Sequence, residues 1–217
     1  MKVEYLVSLV LIGRNTDGDM AVALTDDGDV PRLEVGEGNL STYTAIELHK
    51  AVNENKTLSW ISLSGYHDSI STSPRFLIAE YVGSTNSILE KNSTTFVELK
   101  KIAHEEGTND NSNVDFKSGT SLWVANRAIK HFAKQIESTN VASSVLPNLF
   151  SIKELHDVYA QTWPECNIDL PNFRRKMNKS GILVDSGETI GSSRAYAKSL
   201  SSATINPPFN RKSLKSK

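Results

Sequence analysis

Residues 169–200 read DLPNFRRKMNKSGILVDSGETIGSSRAYAKSL and decide the fold of the C-terminal part of the chain. The first half of this stretch has the signals of a short helix, because Asp169 is a typical N-cap residue and Gly181 is a typical helix stop. Phe173 and Met177 are four residues apart, so they lie on one face of that helix. We predict that this face is buried and that the opposite face is exposed.

The exposed surface of the helix is basic and is followed at once by a hairpin pattern. It carries Arg174, Arg175, Lys176 and Lys179 and no acidic residue. After the helix, ILVD, a Gly/Ser-rich turn and RAYAKSL have the pattern of a β-hairpin. A short basic helix followed by a hairpin is the arrangement of a winged helix-turn-helix domain, whose helix enters the major groove of DNA. The alternative is a solvated basic helix beside an ordinary hairpin.

Two further helical patterns precede the basic helix. The first, at residues 120–137, repeats apolar residues at helical spacing. The second, SIKELHDVYAQTW, begins with Ser151 and Glu154 at the spacing of a capping box. Three helices followed by a hairpin is the order that a winged helix-turn-helix requires. The last residues lack periodicity and include Arg211 and Lys212, so we predict a mobile basic tail there.

The N-terminal part alternates strand and helix patterns. Strand-like runs lie at residues 3–12, 20–24, 58–63 and 74–82, and a short one lies in STTFVELKK. A helix is predicted at residues 41–53, with Ser41 or Thr42 as its N-cap and an apolar stripe of Ala45, Leu48 and Val52. The segments GYHDSISTS and 105–118 are predicted to be polar loops. This order predicts a mixed α+β domain.

Charge divides the chain into two parts. The net charge of the 217 residues is −1, yet 11 of the 24 Lys and Arg residues and only 6 of the 25 Asp and Glu residues lie from Ser151 onward. A basic C-terminal part indicates contact with a polyanion. No apolar run reaches the roughly 20 residues that cross a bilayer. Cys166 is the single cysteine, so no intrachain disulfide is possible, and we predict a cytoplasmic protein.

A C-terminal signature is formed by Leu146-Pro147, Phe150, Glu154-Leu155, Tyr159 and Asn172 to Lys176. This signature resembles that of the Nudix-related transcriptional regulators of bacteria, the NrtR type. In that family an N-terminal Nudix-like domain senses a metabolite and a C-terminal winged helix binds the operator. The order of N-terminal elements is also similar to that of the family. The resemblance implies a transcriptional regulator that binds double-stranded DNA and a small-molecule effector.

The first helix departs from the Nudix pattern. The Nudix box ends R-E-U-x-E-E-x-G-U, and its glutamates bind the divalent ions used in hydrolysis. Glu47 and Leu48 match the E-U pair, but Ile46 replaces the Arg, and Lys50 and Ala51 replace the metal-binding glutamates. We therefore predict no enzyme activity, no metal and no cofactor. The alternative is a pyrophosphohydrolase whose displaced metal ligands come from a set of four acids: Glu34, Glu37, Glu47 and Glu54.

Candidate effector contacts lie in the turns at the ends of the predicted strands: Arg14, Arg75, Tyr66 and His67. Nudix-type domains hold their ligand in this region. The resemblance implies ADP-ribose, another nucleotide-linked metabolite or a sugar as the ligand. The five histidines form neither an H-x-x-x-H pair nor an H-E-x-x-H helix, so the sequence gives no support for zinc catalysis.

These observations predict a Nudix-like α/β/α sandwich domain at residues 1–118, a linking helix at 119–140, a winged helix-turn-helix domain at 141–202 and a tail at 203–217. One short helix contacts few bases, so we expect a homodimer on a palindromic operator. The groove-facing set is Asn172, Arg175, Lys176 and Lys179, and the phosphate-contacting set is Arg174, Arg194, Arg211 and Lys212. A third hypothesis makes the winged helix a protein-interaction module.

Overall fold

The computed structural model describes residues 3–52, 57–69, 75–90, 95–103, 119–163 and 169–198. The chain divides into two compact units, residues 1–131 and 132–217, and the division falls within a continuous helix. No helix in the described part of the chain is both long enough and apolar enough to cross a membrane.

The elements of the first unit are β1 (Val3–Asn15), β2 (Met20–Leu24), β3 (Arg32–Glu34), α1 (Ser41–Val52), β4 (Leu58–Ser69), β5 (Arg75–Leu89), β6 (Thr95–Glu98) and α2 (Leu99–Ala103). The helix that spans the division is α3 (Gly119–Ser138). The second unit continues with a 3₁₀ helix (Val141–Val145), β7 (Leu149–Ser151), α4 (Ile152–Thr162), α5 (Leu170–Ser180), β8 (Leu183–Ile190) and β9 (Ser193–Lys198).

The first unit is built on a six-stranded mixed sheet. Its strand order is β4-β5-β1-β2-β6, and β3 pairs with β1. The pair of β1 and β5 is parallel, whereas the other pairs are antiparallel. One row across the sheet aligns Arg32, Ser8, Glu80 and Gly65. Side chains alternate between the faces of a strand, so the residues next to this row point to the opposite face.

Helix α1 covers one face of the sheet. Its buried residues Ala45 and Leu48 pack against a cluster that includes Val7, Leu9 and Tyr81, as the predicted apolar stripe requires. The predicted N-cap is wrong, because α1 already begins at Ser41 and the hydroxyls of Ser41 and Thr42 lie 2.8 and 3.1 Å from the Tyr81 hydroxyl. These contacts fix the start of α1 to strand β5.

Helix α3 covers the other face. Trp123, Arg127 and His131 recur every four residues on α3 and lie along β4: the Trp123 ring is edge-on to His67 at 5.4 Å, and His131 Nε2 lies 3.1 Å from the Ser62 hydroxyl. Gly65 allows the Arg127 guanidinium to approach, since a Cβ there would lie 1.9 Å from Nη2. The sheet between two helices confirms the predicted α/β/α sandwich.

The second unit packs α4 and α5 against a three-stranded sheet with the order β7-β9-β8. The predicted capping box of α4 is confirmed, because the Ser151 hydroxyl accepts from the Glu154 backbone and the Glu154 carboxylate accepts from the Ser151 backbone. Helix α5 followed by the β8–β9 hairpin gives the predicted helix-and-wing arrangement. The sequence patterns missed the 3₁₀ helix and β7, which follow α3.

Several predicted boundaries are wrong in the first unit. Strand β4 continues to Ser69, so Tyr66 and His67 belong to a strand and not to the predicted polar loop. The backbone of residues 65–69 pairs with β5, which a local reading of GYHDS does not reveal. In STTFVELKK the strand ends at Glu98, and the lysines lie in α2. The predicted loop at 105–118 and the tail at 203–217 lie outside the described residues.

Candidate nucleic-acid interface and ligand cleft

Helix α5 forms as its sequence predicts. Asp169 is the N-cap, and its Oδ1 accepts a hydrogen bond of 2.9 Å from the Asn172 backbone N–H. Pro171 lies in the first turn, where a missing N–H has no cost. The helix ends at Gly181, whose φ of 71° is the left-handed conformation that glycine adopts without strain.

Two aromatic contacts fix the rotation of α5. The Phe173 side chain is fully buried, and its ring lies edge-on to His156 at 5.1 Å and to Tyr159 at 5.2 Å, both on α4. Met177, one turn later, is also buried. Because these two residues face α4 and the core, the opposite side of α5 faces solvent.

The solvent side of α5 carries the predicted DNA-contacting residues. Asn172, Arg174, Arg175 and Lys179 are exposed, and Lys176 is half-buried. A chain of hydrogen bonds joins part of this surface: Asn172 Nδ2 donates to Asp169 Oδ2 at 2.6 Å, and Arg175 Nη2 donates to Asn172 Oδ1 at 2.8 Å. The hydrogen bonds from Asn172 hold the pKa of Asp169 below its usual value. The carboxylate is therefore ionised at neutral pH.

The wing presents a charged pair and an exposed apolar surface. Arg194 on β9 is exposed and donates to Asp185 on β8 at 2.8 Å. Val184 and Ile190 on β8 are also exposed. The hairpin turn consists of Gly191, which has a φ of 60°, and Ser192. Gly187, the earlier glycine of the same stretch, lies within β8. The two predicted tail residues, Arg211 and Lys212, lie outside the described residues.

The chemistry of the α5 surface suits a DNA groove. Helix α5 has eleven residues, about 16 Å of helix, and the major groove of B-DNA is wide enough to admit an α-helix. An exposed guanidinium donates in a fork that fits the O6 and N7 atoms of guanine. Lysine and arginine side chains beside it neutralise phosphates and so add sequence-independent affinity.

The first unit holds a separate open cleft of about 270 Å³ on the α1 face of the sheet. Two exposed tyrosines, Tyr5 and Tyr66, line it together with Leu40, Ser41 and Leu77. The cleft lies at the start of α1, where backbone N–H groups point outward. Its volume is slightly below the roughly 300–1,000 Å³ that is usual for small-molecule pockets. Its two tyrosine side chains suit contact with a flat or ring-shaped group of a small ligand.

The four predicted effector residues do not all line this cleft. Only Tyr66 lines the cleft. His67 is the next residue of β4 and points to the opposite face, where it meets Trp123. Arg75 lies at the start of β5 and donates through Nε to Asp68 at 2.8 Å, and Arg14 donates to the Gly18 carbonyl in the β1–β2 turn at 3.3 Å.

Helix α1, on which the sequence analysis placed the Nudix box, shows no cluster of metal ligands among its described residues. Lys50 forms an exposed ion pair with Glu47 at 2.8 Å. His49 is buried, and its burial, together with the neighbouring Lys50, lowers its pKa. Within the described ranges no three His, Cys, Asp or Glu side chains are grouped to hold a metal ion. Glu54, one of the alternative ligands, lies outside those ranges.

The sequence analysis missed an ion pair on the α3 face, in which a partly exposed Arg127 meets a buried Glu80. Glu80 on β5 is 1% exposed, and its Oε2 lies 3.3 Å from Arg127 Nη1. The Arg127 guanidinium lies 4.7 Å from the centre of the Trp123 ring, in cation–π distance. Burial raises the pKa of Glu80 in spite of the opposing effect of Arg127. A pair of charges 47 positions apart leaves no local signal in a sequence.

Similarity to known proteins extends over both units. Residues 142–198 match the family model of the NrtR DNA-binding winged helix domain. The structure of Shewanella oneidensis NrtR in complex with a 27mer DNA is similar to this chain at 14% identity and a TM-score of 0.69, covering 90% of this chain and 93% of that one. A second structure of Shewanella oneidensis NrtR is similar at 14% identity and a TM-score of 0.72, covering 93% of this chain and 97% of that one.

A MutT/nudix family protein from Enterococcus faecalis is also similar, at 15% identity and a TM-score of 0.66, with 92% of this chain and 89% of that one covered. At these identities the solved structures establish the fold alone. No curated protein matches the chain in sequence. The match to the winged helix model and the shared fold together confirm the resemblance drawn from the C-terminal signature.

Proposed function

Because residues 142–198 form an NrtR-type DNA-binding winged helix domain and the whole chain has the Nudix-plus-winged-helix fold of NrtR, we propose that the protein is a DNA-binding transcriptional regulator. The observation that carries the proposal is the solvent side of α5. Its Arg174, Arg175 and Lys179 are exposed, whereas Phe173 and Met177 on the core side of the helix are buried. This surface supports sequence-specific contact with double-stranded DNA.

The test is selection of bound sequences from a random duplex library by the full chain. We expect an enriched motif with inverted-repeat symmetry, since a homodimer places two α5 helices on two half-sites. Enrichment should fall as salt is raised, because phosphate contacts release counterions. A library in which no motif is enriched would contradict the proposal.

The neighbouring arginines of α5 should have different effects on binding. Arg175→Ala is expected to lose about 1–3 kcal/mol on the enriched duplex and to relax the preference at one base pair. Arg174→Ala, a matched substitution one residue away, should weaken all duplexes alike and lower the salt slope by about one unit. Salt titrations of enriched and scrambled duplexes measure both effects. Equal, sequence-independent losses would make α5 a basic surface without a recognition role.

The cleft beside Tyr5 and Tyr66 is proposed as the effector site. Its position in the Nudix-fold unit and its aromatic walls support this assignment, and α3, which belongs to both units, is the proposed transmitter. The resemblance to NrtR regulators suggests ADP-ribose, a related nucleotide or a sugar as the effector.

An effector in this cleft should change operator affinity by about 1–3 kcal/mol, the usual range for coupled sites. We expect Tyr66→Ala to abolish the change, whereas Tyr43→Ala, an exposed tyrosine that does not line the cleft, should leave it intact. The measurement is DNA affinity in the presence and absence of ADP-ribose and of pentose sugars. An effect that persists unchanged in Tyr66→Ala would contradict the cleft assignment.

We further propose that the Nudix-like unit has no hydrolase activity. Lys50 and Ala51 occupy the positions of metal-binding glutamates, and a lysine repels the cation that hydrolysis needs. Purified protein is therefore expected not to hydrolyse ADP-ribose, NAD or nucleoside triphosphates with magnesium or manganese. Turnover that disappears on Glu47→Gln would refute this proposal.

We also propose three properties of the whole chain. The domain boundaries at residues 118, 140 and 202, the homodimer and the cytoplasmic location all follow from the sequence patterns and the DNA-binding role. Analytical ultracentrifugation with and without the enriched duplex would test the dimer.

A further inference from the structure

Three side chains at the N-terminal turn of α5 are linked by consecutive hydrogen bonds. Both carboxylate oxygens of Asp169 accept hydrogen bonds from Asn172. Oδ1 accepts from the backbone N–H, and Oδ2 accepts from the side-chain amide at 2.6 Å. Asn172 Oδ1 then accepts from Arg175 Nη2 at 2.8 Å. The three residues are spaced three apart, so they lie along one helical row on the exposed side.

The carboxylate fixes the orientation of the amide. An amide has a donor end and an acceptor end, and only the donor end is attracted to an ionised carboxylate. The opposite orientation would place the amide oxygen against the negative charge of Asp169. With the NH₂ group held by Asp169, the amide oxygen necessarily points toward Arg175 and accepts one of the five N–H groups of its guanidinium.

This arrangement affects how the surface recognises bases. Both ends of the Asn172 side chain are already engaged within the helix, whereas bidentate contact with adenine would require both ends to be available. Arg175 uses one N–H on Asn172 and keeps its other donors for a guanine. An arginine already held in place loses less conformational freedom on binding than a free one.

We propose that Asp169 is a specificity-determining positioning residue, which acts through Asn172 to hold the Arg175 guanidinium in place for one base pair. In this assignment Asn172 is also a positioning residue and does not itself recognise adenine. The inference rests on the proposed function of α5, and it deepens that function by assigning distinct roles along one helical row.

The decisive variant is Asp169→Ser, because a serine hydroxyl still caps the helix but offers no second oxygen to the Asn172 amide. We expect this variant to keep its thermal midpoint and its affinity for scrambled DNA, while discrimination at the base pair recognised by Arg175 falls about tenfold. Asp157→Asn in α4 is the matched control, since it removes the same charge from the same unit without touching this chain of bonds.

Two further readouts separate positioning from a structural role. Asn172→Ala should flatten the preference at the same base pair as Arg175→Ala, whereas an adenine-recognising Asn172 would flatten a different one. In the double variant Asp169→Ser with Arg175→Ala, the losses of discrimination should not add, because the first acts only through the second. Asp169→Asn provides a second cap-preserving variant with the same expectation.

The probe is the duplex enriched by the full-length wild-type chain from a random library, and each variant is assayed against it and its single-base-pair variants. The proposal is overturned if Asp169→Ser matches Asp157→Asn, if the losses are additive, or if Asn172→Ala and Arg175→Ala act at different base pairs. Failure of the wild-type chain to enrich any motif would instead overturn the proposed function, so the two failures are distinguishable.

Discussion

Phe173→Ala is expected to lower the free energy of unfolding of the second unit by about 3–5 kcal/mol, the usual cost of a large cavity in a core. Phe173 is fully buried and meets the rings of His156 and Tyr159 on α4, so its loss removes the contact that fixes α5. Operator binding should fall with the population of folded second unit, because α5 loses its support.

The measurement is amide hydrogen exchange in α5 and β9 of the full chain, which reports the second unit separately. Val184→Ala is the control, since Val184 is about half exposed on the wing of the same unit and should cost much less. A loss from Phe173→Ala no larger than that from Val184→Ala would show that Phe173 does not anchor α5.

The second large effect concerns the ion pair between Arg127 and the buried Glu80 in the first unit. Arg127→Met is expected to cost about 3 kcal/mol of unfolding free energy, because it leaves the Glu80 charge buried without its cation. Among the described residues neither Glu80 carboxylate oxygen has a hydrogen-bond partner that could compensate. Adding Glu80→Gln to the Arg127→Met variant should recover most of the lost stability, since the buried charge is then absent.

The cost of Arg127→Met should depend on pH. Burial already raises the pKa of Glu80 in the folded state, and losing Arg127 removes the largest of the effects that oppose this rise, the others coming from His67 and Arg32. A group with a raised folded pKa retains its proton on folding, so stability is highest below the unfolded pKa and falls as pH rises through the folded pKa. The deficit should therefore shrink toward acid pH. A deficit that is constant with pH, or that Glu80→Gln does not relieve, would contradict this account.

Local signals explain why the sequence predicted α5 and α4 well. The N-cap of α5, its two buried side chains Phe173 and Met177 and its final glycine all lie within residues 169–181. The capping box of α4 lies within four residues. Each of these features is decided by hydrogen bonds or packing between residues one helical turn apart. The exposed basic surface of α5 could therefore be predicted from the sequence before any tertiary contact was known.

Features that depend on distant pairing could not be predicted in the same way. Strand β4 extends to Ser69 because its backbone pairs with β5, and β7 is a strand because it pairs with β9 more than 40 residues later. The Ser41 hydroxyl lies 2.8 Å from the Tyr81 hydroxyl, a contact between residues 40 positions apart that the sequence does not reveal. The open cleft beside Tyr5 and Tyr66 combines side chains from several such elements, so its lining cannot be derived from any one stretch of sequence.

The central claim is sequence-specific DNA binding by α5, and the ratio of affinities for the enriched and scrambled duplexes tests it most directly. The full chain should bind the enriched duplex at least about 10³-fold more tightly at physiological salt, the lower end of the range for specific DNA-binding proteins. Arg175→Ala should reduce this ratio, whereas Arg174→Ala should lower both affinities and leave the ratio unchanged. A ratio close to one at every salt concentration would contradict the account.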